Sequence, residues 1–91
     1  MNAEMTPVVV VEVLSKTTRD YDYSEKLPHY KQIPALKQII YLESTKMFAT
    51  VYERVEAGPQ WINTDYTRAS DTFFVNGQAV MLEEIYRKVT F

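Results

Sequence analysis

The 91-residue chain has no cysteine. Disulfides and thiolate-ligated metal sites are excluded with it. It has one histidine, His29, and without a second one a zinc site is improbable chemistry. Long apolar runs are also missing. The valines from Val8 to Val11 are followed at once by Glu12. That run is too short for a secretory leader or a membrane span, so a cytoplasmic location and no membrane partner are expected. There is no surplus of positive charge either, the formal net charge being −2. A constitutively basic nucleic-acid binder should carry excess Lys and Arg. A nuclease is not excluded, because its active site is acidic and its basic surface can be local.

What remains is an ordinary globular composition, 46% hydrophobic and 24% charged. The length allows a single domain, 1–91. A chain this short buries roughly 60–65% of its unfolded surface, and its stability is marginal. If it is part of a larger fold, an open sheet edge or an apolar face should remain for a partner to cover.

Pro7 to Leu14 is the clearest strand, nearly all apolar and rich in β-branched residues. A continuous run of this kind predicts a central strand buried on both faces. Glu12 interrupts it, and a carboxylate there must be paired, protonated or metal-bound. Asp22 is a candidate helix N-cap with Glu25 three positions on, which predicts a helix from Tyr23 to about Ile33. Leu27, Tyr30 and Ile33 form its apolar stripe. Pro28 should kink it and Pro34 end it.

Beyond the helix, Lys37 to Glu43 reads as a strand. Phe48 to Val55 alternates as a half-exposed strand, and Gln60 to Thr67 is a third strand of the same meander. Thr72 to Val75 and Gln78 to Met81 flank Asn76-Gly77, a strong hairpin signal. Leu82 to Lys88 closes as a short helix with Leu82, Ile85 and Val89 on one face. The expected class is α+β, a mixed or antiparallel sheet with one main helix and a short C-terminal helix.

One segment carries a wider resemblance. Val10-Val11-Glu12-Val13-Leu14-Ser15, then Arg19, Asp22, Glu25-Lys26-Leu27, Tyr30 and Ile33-Pro34, resembles the core signature of the Uma2 family of restriction-endonuclease-like proteins. The resemblance is specific over Val10 to Ile33 and loose after Val55, and it fits the C-terminal half of the family domain. It implies a PD-(D/E)xK nuclease core fragment and metal-dependent phosphodiester hydrolysis of DNA, with Mg²⁺ or Mn²⁺ as cofactor. Carried over by position, Glu12 would be a metal ligand and Lys26 the catalytic lysine, since Leu14 stands where the usual motif has lysine. Asp22, Tyr30 and Gln38 would support the site. The motif's first acid, an Asp after Pro, has no counterpart, because Val8 follows Pro7. Glu4 is the upstream acid, and a short terminal segment suits it poorly as a substitute. The chain alone is therefore expected to cut DNA weakly or not at all.

Blander roles stand beside these. Asp22 can be only a cap, and Lys26 only its i,i+4 ion-pair partner. Tyr30 can be core, and His29 is expected to be exposed. Trp61 and the seven tyrosines suit cross-strand packing better than base stacking. The rival function is a non-enzymatic oligomerisation or protein-interaction module, a homodimer through the exposed sheet.

Overall fold

The computed structural model describes residues 8–56 and 58–87. Pro7, Ala57, Lys88, Val89 and the upstream acid Glu4 lie outside the described residues. The class is α+β. Strands β1 (Val9–Leu14), β2 (Gln38–Glu43), β3 (Ala49–Arg54) and β4 (Trp61–Tyr66) form one sheet in that order. β1 runs parallel to β2, while the β2–β3 and β3–β4 pairs are antiparallel, so the sheet is mixed. The parallel step needs a crossover. It is made by consecutive helical segments, α1 (Arg19–Tyr21), a π-helical stretch Asp22–Lys26, and α2 (Leu27–Lys31). A hairpin of β5 (Thr72–Val75) and β6 (Gln78–Met81) and the short α3 (Leu82–Ile85) follow.

Strand alternation divides the core in two. Ile39 and Tyr41 of β2 and Tyr52 of β3 face the helices, packed with Leu14, Leu27 and Leu36. Ile40, Leu42, Ala49 and Val51 face the hairpin side, packed with Phe73, Leu82 and Tyr86. Each fully buried large side chain contributes about 1.5–3 kcal/mol of transfer free energy. Asn76 and Gly77, both at positive φ, make the tight hairpin turn that their sequence predicts.

Three expectations are corrected. β1 is an edge strand rather than a central one, and Val11 and Val13 are 53% and 61% exposed. Its apolar run is real, but among the described residues nothing lies across its outer edge, and its hairpin-side face is packed at Val9 yet left open at Val11 and Val13. β3 is not half-exposed. Flanked by β2 and β4, it buries Ala49, Thr50, Val51 and Tyr52. Finally, the helical stretch begins at Arg19, not Tyr23, so Asp22 is an interior residue instead of an N-cap. The amide of Arg19 already bonds to the Ser15 carbonyl at 3.0 Å and that of Asp22 to Thr18 at 2.8 Å. Pro28 opens the first turn of α2, directly after the π-helical turn. A π turn shifts the hydrogen-bond register by one residue, and proline's missing N–H falls where the helix changes register.

Arg54 ties the helix end to the sheet. Its guanidinium donates to the carbonyls of Leu36 (2.8 Å), Ile33 (2.8 Å), Lys31 (3.3 Å) and Gly58 (2.9 Å). These include carbonyls at the helix C-terminus that have no partner inside the helix. The same group lies 4.4 Å above the Trp61 ring.

Candidate functional site

Thr18, Asp22, Lys26 and Tyr30 are spaced by four. This spacing stacks side chains along one helical face, and here the face is turned to the sheet. Glu12 comes up to it from β1, where it lies beside Tyr41 of β2. It shares the helix-side face with Val10 and Leu14.

The contacts form a continuous chain. Thr18 Oγ1 donates to Asp22 Oδ2 at 3.2 Å. Lys26 Nζ lies 3.4 Å from Asp22 Oδ1 and 3.4 Å from each Glu12 carboxylate oxygen. The Tyr30 hydroxyl donates to Glu12 Oε2. Behind them the Tyr41 hydroxyl donates to the Asp22 carbonyl at 2.6 Å and fixes the π-helical turn from below. Asp22 is buried, with 3% of its side chain exposed, whereas Glu12 keeps 21% and Lys26 35%. The cluster is thus closed at Asp22 and open at Glu12. Two carboxylates and one ammonium leave a formal charge of −1.

Lys26 feels opposing influences. Desolvation depresses its pKa, but the charge and hydrogen bonding of Glu12 and Asp22 outweigh this and hold it above the ordinary value. It is therefore an ammonium at neutral pH. The hydrogen bond to Glu12, aided by burial, raises the Tyr30 pKa, so the phenol keeps its proton as a donor. Burial first, then the nearby Asp22, pushes the Tyr41 hydroxyl well up.

Glu12, Lys26, Asp22 and Tyr30 thus come together. Gln38 does not join them. It sits beside Val9 on β2, shares the hairpin-side face with Ile40 and Leu42, and donates to the Phe74 carbonyl at 2.6 Å. His29 is exposed, its ring 6.5 Å from that of Tyr30. Trp61 lies beneath Arg54, and Tyr41, Tyr52 and Tyr86 are buried, so these rings pack the core.

Sequence reasoning missed a second acidic position. Glu43, two residues after Tyr41 on the same face, takes a two-pronged ion pair from Arg19, with Arg19 Nη1 to Glu43 Oε2 at 2.6 Å. Only 8% of its side chain is exposed. The Arg19 hydrogen bonds, against opposing desolvation, lower its pKa below the usual carboxylate range. Twenty-four residues separate the partners, and no local spacing rule reaches that far.

Among the described residues no three His, Asp or Glu side chains converge on one point. Nor does any described helix have the length and apolarity to cross a membrane.

The chain is similar to an uncharacterized protein of Synechocystis sp. (strain ATCC 27184 / PCC 6803 / Kazusa), at 32% identity over 87 residues. The match covers 93% of this chain and 45% of the relative, so the chain spans less than half of that relative's length. No family model matches the chain. No solved structure matches it.

Proposed function

We propose that Glu12, Lys26, Asp22 and Tyr30 form part of the site of a Uma2-like, metal-dependent DNA endonuclease domain. The supporting observation is their convergence. The residues that the Uma2 resemblance singles out on β1 and on the helix share hydrogen bonds and ion pairs 14 and 18 residues apart in sequence.

The donor set suits a hard divalent cation such as Mg²⁺ or Mn²⁺. Its oxygens are carboxylates, its net charge is negative, and its open end is Glu12. Mg²⁺ commonly takes one or two carboxylates and completes its shell with water and phosphate. Glu12 would hold the ion. When bound, the ion would polarise a phosphodiester and acidify a coordinated water.

The chain's own groups have separable roles. Lys26, held protonated, would stabilise negative charge on a phosphate rather than take a proton. Tyr30 holds the Glu12 carboxylate, and Asp22 holds Lys26 from its buried side. The motif's first aspartate has no counterpart after Pro7, so cation binding and turnover by this chain alone should be weak.

Plasmid nicking with Mg²⁺ and Mn²⁺ tests the reading. Residual nicking at most is expected, lost in Glu12→Ala. Nicking that survives Glu12→Ala would reject the site. Robust cutting abolished by Glu12→Ala would instead place a sufficient ligand set within these residues.

A further inference from the structure

The outer edge of β1 has a definite hydrogen-bonding pattern. The Val8 carbonyl accepts from the amides of Lys37 (2.9 Å) and Gln38 (3.2 Å), at the start of β2. Backbone groups along a strand alternate in direction, so Val8, Val10 and Glu12 bond inward to β2. Val9, Val11 and Val13 then present their N–H and C=O groups outward. Among the described residues nothing pairs with that edge.

The same three valines put their side chains on the hairpin-side face. Val11 borders an apolar groove of about 290 Å³ lined also by Ile40, Leu42, Val75, Val80 and Ile85. Val13 borders a neighbouring one of about 220 Å³ against Leu42, Ile85 and Tyr86. Natural edge strands are guarded by charge, proline or a bulge. β1 has no proline, pairs with β2 in unbroken register, and its one charge, Glu12, faces the helix.

We infer that a second copy of this chain adds antiparallel to β1, about a two-fold axis at Val11. The register follows from self-complementarity. Val11 opposes Val11 of the second copy, and Val9 opposes its Val13, twice over. All three are hydrogen-bonded pairs, giving about six backbone bonds. Their side chains form one valine ladder that extends the wall of both grooves. On the other face each Glu12 stands opposite a Val10, and the two acids are only diagonal neighbours, roughly 7–8 Å apart. An axis at Glu12 instead would use two hydrogen-bonded pairs and set like charges directly opposite, which is destabilising. The four-stranded sheets of the two copies join as one of eight strands, an isologous contact. This inference does not depend on the nuclease reading.

Sedimentation equilibrium and amide exchange on the unmodified 91-residue chain test it. A mass of two chains is expected, with the Val9, Val11 and Val13 amides slowing roughly ten-fold or more as concentration rises, and Val10 and Glu12 protected throughout. The lack of native cysteine makes a second readout clean. Val11→Cys should cross-link to itself on oxidation, because Cα atoms in such a pair lie about 5.5 Å apart, within disulfide range. Val13→Cys faces Val9 and should not. A monomer at concentrations up to about 100 μM, where even a weak dimer would populate, overturns the inference. So does a dimer whose Val9, Val11 and Val13 amides exchange freely, or one in which Val13→Cys cross-links and Val11→Cys does not.

Discussion

Glu12 and Glu43 stand on the same face of one sheet, on neighbouring strands, with opposite surroundings. Glu43 is closed in. Arg19 grips both of its oxygens, and little of the side chain meets solvent. Glu12 is held loosely, with Lys26 at 3.4 Å and only the Tyr30 hydroxyl close. A carboxylate with its lone pairs already satisfied is structural. One that keeps solvent access and unsaturated oxygens has capacity for a ligand. The same residue type, two positions apart in register, is thus locked into the fold at one end of the face and left open to solvent at the other.

The largest expected effect is on the closed pair. Arg19→Met leaves the Glu43 carboxylate in a buried place without its donor, which is costly. The melting temperature should fall by roughly 5–10 °C, measured by circular dichroism. The next effect is in acid. The folded pKa of Glu43 is depressed below its usual 4.5. Its pairing therefore contributes fully above about that pH and is lost as the pH falls through the folded value. Glu43→Gln should flatten this part of the stability profile, read from urea midpoints between pH 3 and 6.

Smaller effects belong to the open acid. Glu12→Gln should move the melting temperature by no more than about 3 °C, because loose, partly exposed ion pairs contribute little. A large loss would show that Glu12 is a structural acid after all and would erase the contrast. The smallest expected change is a titration. The Lys26 pKa is held up by Glu12 against desolvation. In Glu12→Gln it should drop, as followed by NMR of the Lys26 side chain.

Much of the fold could be read from local pattern. The β2, β5 and β6 ranges, the Asn76-Gly77 turn and the Leu27–Tyr30–Ile33 stripe follow from periodicity and turn chemistry. The errors share one cause, which is that local pattern does not reveal neighbours. An all-valine run looks the same whether its second flank is occupied or bare, so β1 was expected to be central. The alternation of Phe48 to Val55 looks half-exposed until β4 and the hairpin cover it. Asp22 has capping chemistry, but the helix already starts at Arg19, and the side chain turns inward to Thr18 and Lys26. At the site, the four-residue spacing of Asp22, Lys26 and Tyr30 could be read in advance. Arg19–Glu43 and the Arg54 clamp could not, because each joins elements more than twenty residues apart.

Manganese titration of the ¹⁵N-labelled chain is the most direct test of the open acid as a cation site. Weak, saturable paramagnetic broadening should centre on Glu12 and reach Lys26 and Tyr30 across the helix, leave the Glu43 region sharp, and vanish in Glu12→Gln. Broadening that spreads over surface acids without preference, or that is unchanged in Glu12→Gln, would contradict it.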